Sequence, residues 1–364
     1  MFFHFQESDM PFTSEQLQYA GNAAINFFLR NDPVDQVNVA RPLIKKLLEE
    51  KKPYIGGLQY IVEQLRYSND SNFQSYFGDT QVTYNRKRTL QQAKYTWGSF
   101  HDGFGLNEDE LAQNGIVMTD DKSSVPTEAE KVQLTNLLQE NTETLKLGFQ
   151  ENFDYMLHRD GTQSVTNIPG LDLLVSTTPT VSQVVGGLDQ SIYTWWQNTA
   201  ITGIASTSGT LTQQMEIAWR DCTRYGGLAP NYILCGELFL DAYRLDAKNT
   251  INRTVYMKDD AKPTKLDGSV GEGIRTGLYF KNVELLWDPV MTVLDGLDSP
   301  TIPWEKRCYF LNTKFLKLRP IQGHWLVNRT PPRVYDRYVH YFALTAKAAL
   351  TTGKRNAHAV LSIA

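Results

Sequence analysis

The chain has 364 residues, of which 41% are hydrophobic and 21% charged, which predicts a packed globular protein of two or three domains or one elaborated fold. Its formal net charge of −4 is weak, so the chain has no overall positive field to attract nucleic acid or an anionic membrane. The first residues lack a basic region followed by an apolar one, and no apolar run approaches about 18 residues. We therefore expect neither a signal peptide nor a transmembrane helix.

The first predicted elements are two helices and then two strands. Residues 14–30 and 39–50 carry apolar residues at helical spacing. Residues 58–68, LQYIVEQLRYS, have strand-like composition. The end of residues 83–97, AKYTW, alternates between apolar and polar residues, which predicts a second strand.

Residues 68–92, between these strands, predict a polar hairpin that cannot support itself. Their only aliphatic residues are Val82 and Leu90, beside four aromatic residues. A lone hairpin is marginal in water, and this one has too little apolar surface to offset its ordering entropy. We expect the hairpin to pack against another surface. The alternative is that these residues form a flexible surface loop. Its basic run, Asn85–Arg88, is expected to pair with acidic groups on a neighbour.

Residues 126–161 predict one helix of about 30 residues, about 45 Å long at 1.5 Å per residue. Thr127 and Glu130 form a capping-box pattern at its start, and Gly161 ends it. The apolar residues at helical spacing are Leu134, Leu137, Leu138, Leu145, Phe149, Phe153, Met156 and Leu157. Polar and small residues interrupt this stripe, so it does not predict a coiled coil.

Strands and helices alternate from about residue 206 to residue 330 and predict a compact α/β unit. Thr210 and Gln213 give a second capping box, and Gly226 stops that helix. Its predicted apolar stripe is Leu211, Met215, Ala218, Trp219, Cys222 and Tyr225. A short buried strand and another helix follow over residues 231–249.

The C-terminal residues predict a long strand and a return. The residues of one parity on this strand are Tyr338, Phe342, Leu344, Ala346, Ala348 and Leu350. TTGKRN, residues 351–356, turns the chain, and alternate residues from Ala357 to Ile363 return as a partner strand.

The sequence lacks the constellations typical of catalytic or metal sites. HRDG, residues 158–161, matches the start of a kinase catalytic loop, but the other kinase motifs are missing, so we interpret it as a helix end. The glycine-rich residues 268–277 lack G-K-[ST] and predict a surface loop. Cys222, Cys235 and Cys308 show no C-x-x-C spacing, which indicates reduced thiols. We predict no enzyme activity, no catalytic or metal-binding residue and no cofactor, with a cytosolic α/β enzyme as an alternative.

Two adjacent tryptophans stand in the polar stretch GGLDQSIYTWWQN, residues 186–198. Adjacent side chains point in different directions on a strand or a helix, so Trp195 and Trp196 cannot fill the same pocket. If both are buried, two different surfaces must cover them.

In the order of these parts, the chain resembles the HK97-type major capsid proteins of tailed bacteriophages. The most specific match is residues 160–198. In one branch of that family, a G-G-[IL]-D-x-S-x-Y-x-W-W-x-N string follows an I-x-G-L turn. GKRNAHAVLSI, residues 353–363, is also similar to that branch. The resemblance implies an α+β, HK97-like capsid fold.

The resemblance also implies a division of the chain. Its expected parts are an N-terminal arm (1–55), an E-loop β-hairpin with its flanks (56–105), a peripheral domain (106–205) with a long spine helix (about 127–158), an α/β axial domain (206–330) and C-terminal strands (331–364) that return to the peripheral and axial domains.

The function implied by the resemblance is structural. Copies of the chain would form the hexamers and pentamers of an icosahedral phage head around double-stranded DNA, bound without sequence specificity. Further expected partners are a scaffolding protein, a portal and a decoration protein, with no membrane contact. Assembly would occur in the host cytoplasm, and the final location would be the virion. An encapsulin-like shell around a cargo protein is the alternative within this fold.

The resemblance places two sets of residues at contacts. The E-loop residues expected to contact another subunit are Phe73, Tyr76, Phe77, Tyr84, Arg86, Lys87 and Arg88. Trp195 and Trp196 are expected at the junction of the peripheral and axial domains. One would pack inward under the spine helix, and the other would face an adjacent subunit or its E-loop. The alternative is that both are buried within one subunit.

Overall fold

The computed structural model of the chain contains both helices and strands and describes residues 39–56, 58–113, 128–206, 209–250, 275–329 and 339–364. The helices in these ranges are α1 (Pro42–Glu49), α2 (Glu108–Gln113), α3 (Glu128–His158), α4 (Leu171–Leu174), α5 (Thr210–Arg224), α6 (Glu237–Thr250) and α7 (Pro289–Leu297). None of these helices is both long and apolar enough to cross a bilayer. The helix expected over residues 14–30 and most of the glycine-rich stretch 268–277 lie outside the described residues.

The strands fall into two larger sheets and two short pairs. They are β1 (Tyr60–Arg66), β2 (Leu90–Thr96), β3 (Gly98–Asn107), β4 (Val184–Val185), β5 (Leu188–Asp189), β6 (Thr199–Ile204), β7 (Tyr232–Cys235), β8 (Arg275–Phe280), β9 (Val283–Trp287), β10 (Arg307–Leu311), β11 (Leu316–Pro320), β12 (Val327–Arg329), β13 (Val339–Thr352) and β14 (Ala359–Ile363). The predicted mixture of helix and sheet is therefore confirmed.

Helix α3 is the long helix that the sequence predicts, and it has 31 residues. One face is buried at a spacing of four residues, through Leu145, Phe149, Phe153 and Leu157. The rings of Phe149 and Phe153 stack 5.9 Å apart, and Phe153 also meets Phe100 of β3 edge to face at 5.1 Å. After the helix, Gly161 has a φ of +86°, the left-handed conformation that ends helices.

A four-stranded antiparallel sheet is built around the long strand β13. Residues 339–348 of β13 pair with β3, and the other edge of β13 pairs first with β12 and then with β11. Helix α3 packs against β3 and β13. The long strand predicted from residue parity is therefore present, and it joins segments that are far apart in the sequence.

The second large sheet is mixed and has six strands, in the order β6-β14-β10-β7-β9-β8. The β14–β6 and β7–β9 pairs are parallel and the other three pairs are antiparallel. Helices α5 and α6 pack against this sheet, and Met215, Phe239 and Phe310 lie at their shared core. The sheet includes β6 and β14 from outside residues 206–330, whereas β11 and β12 of that segment lie in the four-stranded sheet.

The predicted pairing of the two C-terminal strands is wrong. Strand β14 pairs with β10 and β6 instead of returning along β13. The chain between them forms a short 3₁₀ turn at Arg355–Ala357, whose first side chain is buried. This turn delivers the chain to the other sheet, where the carbonyl of His358 accepts a hydrogen bond from Thr199 N at 3.2 Å.

The predicted start of α5 and the end of its apolar stripe also need correction. Gly209, at φ +79°, is the N-cap, so Thr210 and Gln213 do not form a capping box. Instead, Asp246 of α6 accepts from Gly209 N at 2.6 Å and from Thr212 N at 3.0 Å. Tyr225 follows the last helical residue and is exposed, so it does not extend the buried stripe.

Candidate interaction surface

The hairpin predicted over residues 68–92 has a regular ladder only at its base. Strands β1 and β2 pair from Tyr60–Thr96 to Arg66–Leu90. Further out, polar side chains join the two arms: Asn72 donates to the carbonyl of Thr83, and Gln74 Oε1 accepts from Thr83 N at 3.1 Å. These bonds lie in solvent, where each adds little to stability.

The hairpin residues predicted to contact another subunit are all exposed, namely Phe73, Tyr76, Phe77, Tyr84, Arg86, Lys87 and Arg88. Phe73, Phe77 and Tyr84 expose 91%, 92% and 94% of their surface. Large aromatic side chains are usually at least half buried in a folded chain. The hairpin therefore presents aromatic surface that the described part of its own chain does not cover, and its intersubunit role stays a prediction.

The stretch GGLDQSIYTWWQN begins with a tight turn that attaches it to the hairpin base. Gly186 and Gly187 connect β4 to β5 with φ values of +62° and +78°, as a two-residue hairpin turn of type I′ requires. The carbonyl of Gly186 accepts from Lys94 N of β2 at 2.8 Å. A Cβ on Gly186 would lie 3.0 Å from that of Ala93, so glycine allows both the turn and the contact.

The two tryptophans lie on a 3₁₀ turn and have different surroundings. Trp196 is buried, and its Nε1 donates to the carbonyl of Val185 at 3.0 Å. Trp195 is half-buried and stacks on Tyr67, at the hairpin base, with ring centroids 5.6 Å apart. The ring of Trp195 therefore already has an aromatic partner within one chain, and that partner, Tyr67, belongs to the hairpin base of the same chain.

Arg355 joins this stretch to the C-terminal motif GKRN. Its buried guanidinium makes five hydrogen bonds, to the carbonyls of Leu173, Leu174 and Trp196 and to the side-chain oxygens of Gln190 and Asn198. All five acceptors are neutral, and burial lowers the pKa of Arg355 to about 10. The two sequence motifs that carry the resemblance are therefore halves of one buried cluster.

Two polar residues of the stretch hold the loop that precedes it. Asn198 Oδ1 accepts from Ser176 N at 3.1 Å, and its Nδ2 donates to Ser176 O at 2.8 Å. Gln190 Nε2 donates to the carbonyls of Thr178 and Val181 at 3.0 and 2.9 Å. These bonds satisfy backbone groups of a loop without regular structure, which explains why a buried segment is so polar.

The glycine of the I-x-G-L turn is required by a close approach. A Cβ on Gly170 would lie 2.6 and 2.7 Å from the carbonyl oxygens of Met156 and Leu157, and closer still to that of Arg159. These carbonyls belong to the last turn of α3 and the residue after it. Any larger residue would push the turn away from the helix end.

A groove of about 630 Å³ lies between the hairpin base, the tryptophans and the end of α5. Trp195 and Tyr67 line one side. Its basic lining residues are Arg66, Arg224, Lys354 and the buried Arg355, and its one acidic lining residue is Asp221. This composition suits an acidic protein surface with aromatic or aliphatic side chains. The sequence gives no signal for the groove because its walls come from five separate segments.

HRDG is a helix end with a buried charge cluster that sequence reasoning missed. His158 Nε2 lies 2.9 Å from Asp288 Oδ2, and its Nδ1 lies 3.7 Å from Asp154 Oδ1, with all three side chains fully buried. Burial lowers the pKa of His158, but Asp154 and Asp288 outweigh it and raise the pKa to about 9. Burial raises the pKa of Asp154 to about 7 against the opposing effect of His158.

This cluster joins α3 to the start of α7, where Asp288 Oδ1 caps the helix by accepting from Val290 N at 3.1 Å. Beside it, Arg159 forms a two-bond ion pair with Asp298 at 2.7 and 2.9 Å. A fully buried histidine with these partners supports a structural role. In the described residues, no group of three or more histidine, cysteine, aspartate or glutamate side chains could hold a metal ion.

The fold of this chain, with a long helix across a four-stranded sheet, a mixed six-stranded sheet and an exposed hairpin, is similar to that of chains in solved phage capsid structures. A chain of the cyanophage A-1(L) capsid matches with a TM-score of 0.56 and 14% identity, over 94% of this chain and 98% of that chain. The capsid of Myoviridae phage XM1 matches with a TM-score of 0.54 and 13% identity, with the same coverage. The capsid of a native GTA particle matches with a TM-score of 0.51 and 11% identity, again over 94% and 98%.

No family model and no curated protein matches the sequence. The likeness therefore lies in the fold, and the predicted HK97-like, α+β class agrees with it.

Proposed function

We propose that the chain is a major capsid protein, whose copies assemble into the hexamers and pentamers of an icosahedral phage head. The observation that carries this proposal is the extent of the likeness. The shared fold covers 94% of this chain and 98% of chains from assembled capsids. Almost nothing of the chain is left over for a separate catalytic domain, which supports the proposed structural role without enzyme activity.

The hairpin supports this proposal physically. Its ladder stops at Arg66 and Leu90, and its aromatic residues lie in solvent. Covering such side chains with another copy gains roughly 1.5–3 kcal/mol for each one fully buried. We therefore assign Phe73, Tyr76, Phe77 and Tyr84, with the basic residues Arg86, Lys87 and Arg88, to an E-loop that lies over a neighbouring subunit.

The 3₁₀ turn that carries Trp195 and Trp196, called the tryptophan junction below, supports this assignment of the hairpin. Trp196 is buried beside Arg355, and Trp195 stacks on Tyr67 directly after β1. The stack therefore connects the hairpin base to the buried cluster around Arg355. The open groove beside Trp195 is the face that we assign to contact with an adjacent subunit.

The remaining assignments complete this function. We assign residues 1–55 to the N-terminal arm, 56–105 to the E-loop and its flanks, 106–205 to the peripheral domain, 206–330 to the axial domain and 331–364 to the returning strands. The shell would enclose double-stranded DNA without sequence specificity and would work with a scaffolding protein, a portal and a decoration protein. It would assemble in the host cytoplasm and remain in the virion.

Paired hairpin variants test the proposal. We expect the full-length protein, with its scaffolding protein where needed, to form closed particles that are visible in negative stain. Phe73→Ser with Phe77→Ser should abolish the particles and leave the melting temperature of the subunit unchanged. Val165→Ser, at a fully exposed valine outside the hairpin, is the matched control and should still assemble. Normal assembly of the double variant would contradict the assigned role of the hairpin.

The contents of the particles separate the two kinds of shell. Packaged nucleic acid supports the phage head, and a protein cargo would support the encapsulin-like alternative. A stable monomer or dimer that binds a small ligand would instead favour an enzyme.

A further inference from the structure

Two of the three cysteines face each other in the centre of the six-stranded sheet. Cys235 is the last residue of β7, and Cys308 lies on the adjacent strand β10. The two strands are antiparallel, and these residues are direct partners in the register. Their Sγ atoms are 3.2 Å apart, and both thiols are free and fully buried.

The register suits a covalent bond between them. The neighbouring pair, Gly236 and Arg307, carries a ladder hydrogen bond of 2.9 Å from Gly236 N to Arg307 O. Hydrogen-bonded and closely spaced pairs alternate along an antiparallel ladder, so Cys235 and Cys308 form a closely spaced pair, with Cα atoms about 4.5 Å apart. This separation lies within the span of about 4.4–6.8 Å that a disulfide bridges.

The third cysteine provides an internal comparison. Cys222 is also buried, but it lies on α5, which packs against the sheet rather than forming part of it. Burial raises the pKa of its thiol to about 12. It has no cysteine opposite it in a ladder, so it should stay a thiol under conditions that oxidise the pair.

We infer that Cys235 and Cys308 are a disulfide-forming site, which oxidation by a small disulfide such as oxidised glutathione converts into a covalent link between β7 and β10. One cysteine, as the thiolate, attacks a sulfur of the small disulfide and releases one glutathione thiolate. The second cysteine thiolate then attacks the mixed disulfide and releases the other. The two cysteines lose two electrons and two protons in total, and the products are the protein disulfide and two reduced glutathione molecules.

Burial controls when the site reacts. Both side chains are fully buried, so a small disulfide cannot reach either sulfur in the closed sheet, and burial with the adjacent Cys235 also raises the pKa of the Cys308 thiol well above its usual value. Oxidation of the folded protein therefore requires β7 and β10 to open locally. It should be slow in buffer and faster in urea below the unfolding midpoint.

Thiol counting on the purified full-length protein tests this inference. After incubation with oxidised glutathione in mild urea, the protein is denatured and alkylated, and its mass is measured. We expect one alkylated cysteine instead of three, a peptide that links Cys235 to Cys308, and a melting temperature several degrees higher than that of the reduced protein. Cys222→Ala should give the same link, and Cys235→Ala should lose both the link and the shift.

Two results would overturn the inference, and both come from the wild-type protein, so they do not depend on the folding of a variant. One is three alkylatable thiols after oxidation. The other is a link that includes Cys222. Neither result bears on capsid assembly, because the site lies within one copy of the chain.

Discussion

Arg355→Lys is the substitution for which the structure gives the largest expected effect at the tryptophan junction. The guanidinium donates to five neutral acceptors, four of them on buried residues, and the ammonium of lysine has three donors on one atom. At least two acceptors would therefore lose their donor. An unsatisfied buried acceptor costs about 1–3 kcal/mol, so the expected loss in unfolding free energy is roughly 2–6 kcal/mol.

Urea unfolding followed by tryptophan fluorescence measures this loss, because Arg355 lies over the ring of Trp196 at 5.9 Å. The variant and the wild type need the same subunit concentration, since assembly stabilises the folded state. Arg224→Lys is the matched control: it lines the same groove but is exposed, and we expect a change below about 0.5 kcal/mol. If Arg355→Lys also stays within 0.5 kcal/mol of the wild type, the five-bond cluster does not hold the junction together.

Three further predictions concern the neighbours of this junction. Gly170→Ala should destabilise the protein by about 1–3 kcal/mol, because its Cβ would overlap carbonyls at the end of α3. Gly296→Ala, in α7, has no positive φ and its Cβ would meet no atom within 4 Å, so it should cost less, and equal losses in thermal unfolding would contradict the packing argument. The pKa of His158 is raised to about 9, so its proton stabilises the folded state fully below pH 6.5, and this contribution is lost as the pH rises to 9. The unfolding free energy should therefore fall between pH 7 and 9, by at most about 1.4 kcal/mol per pH unit, and an equal slope in His158→Gln would refute this. Trp195→Ala removes the stack on Tyr67 and should speed proteolytic cleavage in the hairpin, whereas an unchanged cleavage rate would show that the stack does not restrain it.

Periodicity in the sequence predicts the helices and strands whose buried side chains follow a local pattern. The stripe from Leu145 to Leu157 predicts α3, since a helix repeats its buried positions every three or four residues. The buried strand at Tyr232–Cys235 is short and wholly apolar, and it is also found as predicted. Both elements depend on local spacing, which the sequence displays directly.

Contacts between distant segments are where the sequence-based predictions fail. Asp246 lies 34 residues after Thr212 and caps α5 from another helix, so the local capping-box pattern at Thr210 is misleading. Strand β14 lies between β6 and β10, and alternation along the strand carries no information about which strands flank it. Arg355 lies in the predicted turn TTGKRN, and the sequence does not show that residues 173–198 surround and bury its side chain.

The tryptophan motif shows an intermediate case. Adjacent positions require Trp195 and Trp196 to have different surroundings, and the structure has one buried and one half-buried. The spacing does not show which surface covers the ring of Trp195. Its partner Tyr67 follows β1, is distant in the sequence and lies beside Trp195 only in the folded chain.

Mass photometry of the purified full-length protein, combined with hydrogen exchange across residues 68–88, is the most direct test of the central proposal. That proposal is that neighbouring copies of the chain cover one another's exposed hairpins. We expect closed particles of megadalton mass, in which the amides of the hairpin exchange more slowly than in the unassembled subunit. A population that stays monomeric at every concentration, with the hairpin amides already protected in the single chain, would contradict it.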